Sequence, residues 1–288
     1  MRVVVEPERL IKMFTTALLY KSSAMLDSVP IYFTEKGAII RDSSLQVLAI
    51  YSIFPKHYFL EYEVDKPQKI VVTKSLLKMT KQGFKKDDTV TISVEGGNVV
   101  LSSSRAIYRE PIPEIEESTF PLKFKKDENG IYLPENFEPK VTVVMREDDI
   151  KDILTADTYT IEYDGERLKI TMEDIGSYTK IITPLKLLKK EKCTIRLDGD
   201  LTRRIIANLK GEIIFSFNED LAIWERLSKE YVQIFVLSAI ATAPEEETLE
   251  EESIKVEEEE EGKEEEGELE ELESLSESEL EKMMAEVE

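Results

Sequence analysis

The order of the predicted secondary-structure elements constrains this chain most, because the same order occurs twice. Residues 1–113 contain about eight short apolar or alternating runs that predict strands, and two amphipathic segments, 8–20 and 73–84, with helical spacing. Residues 140–243 repeat this order, with helices expected at 148–154 and 200–209. Prolines indicate that residues 114–139 between them form an extended connector. The sequence therefore predicts an α+β fold of two similar domains, each with two helices and antiparallel sheets.

Acidic residues are concentrated toward the C-terminal end of the chain. The net charge is −22, and residues 245–288 alone contain 23 Glu and 3 Lys, so residues 1–244 are nearly neutral. The segment 244–288 has no aromatic side chain to bury, and we expect it to be disordered. Within it, Ser276 and Glu279 match a capping box that starts a short amphipathic stretch, 276–287. Two interpretations of this stretch stay open: a frayed, solvated helix or a helix that docks on a partner.

Several classes of protein are excluded by simple sequence features. No apolar run approaches the roughly 20 residues of a membrane span, so no contact with a membrane is expected. Glu6, Glu8 and Arg9 interrupt any signal-peptide pattern. A single cysteine, Cys193, and a single histidine, His57, argue against a disulfide framework, a zinc site or any other metal centre. We therefore expect no cofactor and an intracellular, reducing location, cytoplasmic or nucleoid-associated.

The sequence offers no set of residues typical of a catalytic site. His57 has no acid or nucleophile signalled near it. The pairs Asp148/Asp149 and Asp198/Asp200 stand at predicted helix starts, where carboxylates usually cap the helix and interact with its dipole. We therefore expect that the protein is not an enzyme. An enzymatic alternative would depend on His57 or on Asp148 and Asp149.

Basic residues lie on the outward faces of three predicted helices. On helix 73–84 the lysines recur at spacings of four, three and four residues, which places them on one side, opposite the leucines. A solvated face is one interpretation. Contact with nucleic-acid phosphates, which requires positive charge but no base recognition, is the other. The candidate DNA-binding residues are Arg9, Lys12, Lys74, Lys78, Lys81, Lys85, Arg203, Arg204 and Lys210.

The segments 30–44, 47–55 and 62–64 resemble the first domain of DNA sliding clamps of the archaeal and eukaryotic type, the proliferating cell nuclear antigen (PCNA) family. They comprise a strand, a Thr-Glu-x-Gly turn at 34–37, a second strand, an Asp-x-Ser turn at 42–44 and a long apolar strand. Helix 73–84 and the Lys-Asp-Asp-Thr sequence at 86–89 follow in the expected order. The resemblance covers residues 1–240, and in the second domain it depends on element order.

This resemblance implies a ring-forming protein that acts as a polymerase processivity factor. Three protomers would close into a ring, with inner helices around duplex DNA and sheets outside. Strand 106–112 of one protomer would pair with 178–182 of the next. The expected partners are double-stranded DNA of any sequence, DNA polymerase, a clamp loader and other clamp-motif proteins. The domains would be 1–113 and 140–243, joined by the connector 114–139 and followed by the tail 244–288.

The resemblance also implies a docking pocket for clients beneath the connector. Clamp clients insert short motifs with hydrophobic anchors, and an apolar pocket concentrates their binding energy. The expected pocket residues are Leu48, Phe120, Leu122, Leu237, Ser238 and Ala239.

Two departures from the family pattern support an alternative: the first helix of the second domain is about two turns short and its surroundings are acidic, and the acidic tail is additional. A further departure, Ser238-Ala239 where the family has Ala-Pro, concerns the floor of the docking pocket. The chain could therefore be a subunit of a heteromeric or regulatory, checkpoint-type clamp. The tail would act either as an electrostatic competitor for DNA or as a partner tether.

Overall fold

A computed structural model describes residues 1–45, 47–115, 121–173 and 176–240. The chain divides into two units, Met1–Ala243 and Pro244–Glu288. The predictions for the tail, for its terminal helix and for Phe120 concern residues outside the described ranges. The domain boundaries also stay a prediction.

The secondary structure of the first unit occurs as two repeats joined by a short hairpin. The first repeat consists of β1 (Arg2–Val5), α1 (Pro7–Ala17), β2 (Ser28–Thr34), β3 (Gly37–Leu45), β4 (Leu48–Pro55), a 3-10 turn (Lys56–Tyr58), β5 (Glu61–Glu63), β6 (Gln68–Thr73), α2 (Lys74–Gly83), β7 (Val90–Glu95), β8 (Asn98–Ser102) and β9 (Ile107–Pro111). The connector contributes the hairpin β10 (Phe124–Lys126) and β11 (Tyr132–Pro134). The second repeat consists of β12 (Val141–Arg146), α3 (Glu147–Ile150), β13 (Thr158–Tyr163), β14 (Leu168–Glu173), β15 (Ser177–Ile182), β16 (Lys186–Lys190), β17 (Cys193–Asp198), α4 (Gly199–Asn208), β18 (Glu212–Phe217), β19 (Leu221–Leu227) and β20 (Val232–Ser238).

The strand pairing is the same in both repeats, element for element. The first repeat has the antiparallel orders β5-β1-β7-β8-β9 and β6-β2-β3-β4, and the second has β16-β12-β18-β19-β20 and β17-β13-β14-β15. Pairing of β20 with β4 joins one set from each repeat into a nine-stranded sheet, with Leu237 opposite Leu48 and Val232 opposite Ile53. The predicted fold class, an α+β protein with two similar halves and antiparallel sheets, is confirmed.

Local sequence explains where the helices begin. The Thr73 hydroxyl caps α2 by accepting the N–H of Leu76. In α4 the cap is Asp198, the first of the two carboxylates at the predicted helix start, which accepts the N–H of Leu201. Gly199 follows the cap because a β-carbon there would lie 1.8 Å from the carbonyl oxygen of Ala156. The predicted helix 148–154 is only one turn, α3, with Asp149 accepting the N–H of Arg146 at its start.

Two hydrophobic cores lie on opposite faces of the nine-stranded sheet. The main core contains the apolar faces of the helices, including Leu10, Phe14 and Ile205. The smaller core, here called the connector core, packs Ile131 and Leu133 of the connector against the outer face of β4, β19 and β20. The helices and the connector therefore lie on opposite sides of this sheet.

Candidate nucleic-acid interface and docking pocket

Helix α2 presents the exposed lysine face that the sequence predicts. Leu76, Leu77 and Thr80 of α2 are buried in the main core, so the opposite side of the helix is left to solvent. The lysines on that side are Lys74, Lys78 and Lys81, and all three are exposed. Lys85, which was predicted to lie on the same helical face, is exposed but follows the end of the helix at Gly83.

The four lysines differ in what they contact. Lys74 forms an ion pair with Asp27, and the Lys81 ammonium lies 3.4 Å from the centre of the Tyr20 ring. Lys78 and Lys85 make no ion pair with any residue in the described ranges. The contacts of Lys74 and Lys81 do not involve buried groups, so breaking them costs little free energy. All four ammonium groups are therefore available to an anion.

The two predicted contacts on α1 lie against the protein instead of facing outward. Arg9 donates to the carbonyl oxygen of Tyr58 at 2.6 Å, and its guanidinium lies over the Tyr58 ring. Lys12 donates to the carbonyl oxygen of Asn208 at the end of α4. Burial, together with the nearby charges of Arg226 and Lys210, lowers the pKa of Lys12 to about 7. The outward orientation predicted for this pair is wrong, because that side of α1 packs on neighbouring elements.

The bases of α4 are also largely occupied. The Arg204 side chain is 12% exposed, pairs with Asp200 at 2.7 Å and donates to the carbonyl oxygen of Ser23 at 2.8 Å. Lys210, just beyond the helix, is exposed and pairs with Glu147 of α3. Arg203 is half-buried and lines a small groove beside α3. Among the candidate DNA-binding residues, the cations that remain most available are therefore those on and just after α2.

Acidic residues surround the single turn of α3. Asp148 pairs with Lys151 at 2.6 Å, and hydrogen bonding from that lysine holds the pKa of Asp148 below its usual range. Glu147 accepts from Lys210 and from the N–H of Gly211. Since α1, at the equivalent position of the first repeat, has 11 residues and α3 has 4, this helix supplies little surface for cations.

A depression of about 120 Å³ lies where the docking pocket was expected. The structure brings Leu48, Leu122 and Ser238 together there, as predicted. Leu237 is not in the pocket: it is fully buried in the main core, because side chains alternate along β20 and place Val236 and Ser238 on the outer face. The further lining residues, which the sequence reasoning missed, are Ser43, Leu45, Val47, Ala49, Pro121, Leu221 and Val236.

Ala239 lies in a different place from the one predicted. Its N–H donates to the carbonyl oxygen of Asp220, and the N–H of Ile240 donates to that of Arg196 on β17. Both residues line a second, wider cleft that also contains Thr160. The C-terminal strand therefore leaves the pocket at Ser238 and turns toward β17.

The residues weighed for catalysis have structural contacts. The His57 ring lies 2.7 Å from the carbonyl oxygen of Lys229, and Cys193 is buried, which raises the pKa of its thiol to about 11. Among the described residues, no three His, Cys, Asp or Glu side chains cluster in a way that could hold a metal ion. Within the same ranges, no helix is both long and apolar enough to cross a membrane.

Comparison with known proteins supports the resemblance. No family model matches the chain. A curated relative, the DNA polymerase sliding clamp of Methanothermobacter thermautotrophicus, is 29% identical over 220 residues, which are 67% of this chain and 88% of the relative.

Solved structures of PCNA proteins share the fold. A chain from the structure of the C-terminal region of FEN-1 bound to A. fulgidus PCNA has a TM-score of 0.67 at 16% identity, covering 84% of this chain and 99% of its own. PCNA from Entamoeba histolytica has a TM-score of 0.68 at 14% identity, covering 83% and 98%. A chain of the PCNA2–PCNA3 complex from Sulfolobus tokodaii has a TM-score of 0.66 at 20% identity, covering 83% and 99%. The predicted resemblance to the sliding clamps is thereby confirmed.

Proposed function

We propose that this chain, which has the fold of the DNA sliding clamps of the PCNA family, is a polymerase sliding clamp: a processivity factor that encircles duplex DNA and tethers replication and repair proteins. Such a protein needs no chemistry of its own. Encirclement keeps a bound client near its substrate, so that a weak encounter becomes a persistent local one.

The observation that carries this proposal is a pair of open sheet edges, β9 and β15, which are equivalent to the two strands that join the repeats. Strand β20 is the last strand of the five-stranded set in the second repeat. Within the chain it pairs with β4, the edge strand of the four-stranded set in the first repeat. The equivalent strands, β9 and β15, are edge strands: among the described residues each pairs with a neighbouring strand on one side only. Pairing of β9 with β15 of a second copy would produce a second nine-stranded sheet by the same rule, and head-to-tail repetition of that contact can close a ring.

The exposed side chains on these edges suit such a contact. Ile107 on β9 is 62% exposed, and Tyr178 and Ile181 on β15 are 52% and 54% exposed. Closing the ring would bury these apolar groups and remove two edges that invite aggregation. We infer self-association into a trimer, as the resemblance implies.

We assign the DNA contacts chiefly to α2. Lys74, Lys78, Lys81 and Lys85 would attract phosphates without reading sequence. Arg203 and Lys210 could add contacts at the other end of the helix layer. Arg9, Lys12 and Arg204 would act mainly by holding α1, α4 and the loop at Ser23 together, which keeps the surface under the DNA rigid.

We propose that clients dock in the depression lined by Leu48, Leu122, Val236 and Ser238. Its walls come from the connector and from both strands that join the repeats, as expected for a clamp-motif site. The A. fulgidus PCNA is bound by the C-terminal region of FEN-1, which supports a short segment of a partner protein as occupant. A clamp loader and an intracellular, reducing compartment complete the proposal.

A heteromeric clamp is the second candidate, and the one-turn α3 favours it. This turn and the carboxylates around it would weaken the attraction for DNA in one part of the ring. The Sulfolobus tokodaii neighbour is a complex of two different PCNA chains, so the same fold is found in mixed assemblies.

The solution mass of the full chain tests the assembly. Light scattering at several concentrations should give three times the 33.1 kDa of one chain. Ile181→Arg should dissociate the assembly, because an ionised side chain would be buried at the β9–β15 contact. Leu154→Arg, at a site that is also 54% exposed, is the matched control and should leave the mass unchanged. A monomer at all concentrations would favour the heteromeric candidate, and an Ile181→Arg trimer would refute the assigned edges.

Encirclement itself is tested by topology. The protein is bound to linear duplex DNA at high concentration, the ends are ligated into a circle, and the complex is washed with high salt. Protein retained on the circle but lost from unligated DNA would support a closed ring. Equal loss from both would mean that binding is only electrostatic, since salt weakens phosphate contacts.

A further inference from the structure

Three exposed leucines form an apolar patch that neither the ring contact nor the docking pocket explains. Leu185, Leu187 and Leu188 are each 37–39% exposed and lie on or beside β16. All five residues of β16 are exposed, which is unusual for a strand with adjacent leucines. The patch therefore points to a contact made by β16 itself.

The backbone of β16 has one open side. It forms the outer edge of the nine-stranded sheet and pairs with β12 alone among the described strands. The N–H of Leu185 donates to the carbonyl oxygen of Val144 at 2.7 Å, and that of Glu191 to the carbonyl oxygen of Lys140 at 3.0 Å, which fixes this segment along β12. In an antiparallel ladder, alternate residues turn their N–H and C=O groups to the other side. Those groups of β16 face solvent and are ready to receive another strand.

The charge along this edge is mainly positive, with Glu191 as its one acidic residue between Leu185 and Lys192. Lys186, Lys189, Lys190 and Lys192 make no ion pair with any residue that the structure describes. Lys186 and Lys189 stand opposite Val144 and Thr142, so both project from the same face of the sheet. Lysines on an edge discourage pairing with a neutral or basic strand. They leave pairing with an acidic strand open, because opposite charges on neighbouring strands attract.

We propose that the free edge of β16 binds an acidic, extended segment of a partner protein by strand addition. The backbone of the segment would continue the sheet, its carboxylates would meet Lys186 and Lys189, and its alternate apolar side chains would cover Leu187 on the opposite face. The register of β12 and β16 shifts between Thr142 and Val143, so Leu188 is an extra residue with no opposite partner. This irregularity restricts the registers that an added strand can adopt. The site is separate from the proposed ring edges and from the docking pocket, and it does not depend on the proposed function.

A labelled heptapeptide of alternating Glu and Val tests this inference with the full chain. Fluorescence anisotropy should show saturable binding that weakens with salt. A Lys–Val peptide of the same length should not bind. A Glu–Val peptide that is N-methylated at alternate amides keeps its charge and loses its strand-forming edge, and it should bind at least about tenfold more weakly.

Protein variants locate the site. Lys186→Glu with Lys189→Glu should weaken binding of the Glu–Val peptide by about tenfold or more, since two attractions become repulsions. Lys36→Glu with Lys66→Glu makes the same change in net charge at exposed lysines away from β16, and should have less than about a threefold effect. Absence of binding, equal binding of the N-methylated peptide, or an equal loss in the control variant would each overturn the inference.

Discussion

The buried carboxyl of Glu225 makes the stability of this protein depend on pH. Glu225 lies on β19 in the outer face of the nine-stranded sheet, beneath the connector, and is fully buried. One oxygen, Oε2, accepts the N–H of Tyr132 on β11 at 3.0 Å. The other has no hydrogen-bond partner among the described residues. The cross-strand neighbours of Glu225 are Ile214 and Ile234, whose side chains have no polar group that could form a hydrogen bond with this oxygen.

The sign and the size of the effect follow from the pKa. Burial raises the pKa of Glu225 from its ordinary 4.5 to about 8. The hydrogen bond from Tyr132 acts in the opposite direction and lowers this pKa by less than burial raises it. Between these values the folded chain binds a proton that the unfolded chain releases, so stability falls as pH rises. One pKa unit corresponds to 1.36 kcal/mol, which gives a loss of roughly 3 kcal/mol between pH 4.5 and 7 and roughly 4–5 kcal/mol by pH 9.

The variant Glu225→Gln isolates this effect. Gln keeps an acceptor for the Tyr132 N–H and cannot ionise, so its stability relative to the natural chain should rise by these amounts as pH increases. Urea unfolding at fixed protein concentration, followed by the fluorescence of Trp224, the single tryptophan, measures the difference at each pH. Glu212→Gln removes an exposed carboxylate from the adjacent strand and serves as the control. A stability difference that stays flat from pH 5 to 9 would refute the reasoning.

Two further outcomes follow from the proposed interfaces. Replacing Lys74, Lys78 and Lys81 with Ala should lower the affinity for DNA and reduce the slope of log affinity against log salt by about one per lysine. Replacing Lys36 and Lys66 with Ala is the control and should change neither quantity. An unchanged slope in the first variant would mean that the lysine face of α2 is only solvated. Leu122→Asp should weaken the binding of a client peptide with hydrophobic anchors by about tenfold or more. Leu60→Asp, at an exposed site outside the pocket, is the control and should not weaken it. Unimpaired binding to the Leu122 variant would place the client site elsewhere.

The placement of strands was largely predictable where local signals were strong. The predicted strand 106–112 contains β9, Ile107–Pro111, and the predicted strand 178–182 matches β15, Ser177–Ile182, to within one residue. The strands that were missed include β10 and β11 of the connector hairpin and β16. The β10–β11 hairpin carries the turn signal Asn129-Gly130, with Gly130 at φ 78°, which could have revealed it. Strand β16, Lys186–Lys190, has no β-branched or aromatic residue, so local preference gave no reason to expect it.

The docking pocket shows how much of a site the alternation of side chains along a strand could have predicted. Its location near Leu48, Leu122 and Ser238 followed from the resemblance. The inclusion of Leu237 was an error that period-two alternation along β20 could have corrected, because Ser238 and Leu237 must face opposite sides. The contribution of Leu221 from a neighbouring strand had no local signal, since only strand order brings it there.

The sequence by itself determined which residues share a face of each element and how the elements repeat. Helical spacing placed the α2 lysines opposite Leu76 and Leu77, and composition separated the acidic tail from the body. Both depend only on neighbours along the chain. Tertiary structure decided which cations remain available: Lys12 and Arg204 are held by backbone carbonyl groups of Asn208 and Ser23, far away in sequence. Within the described ranges, the lysines of α2 contact only the exposed Asp27 and the partly exposed Tyr20 ring. Periodicity states which side chains point together, but whether that side meets solvent or another element depends on packing between distant segments.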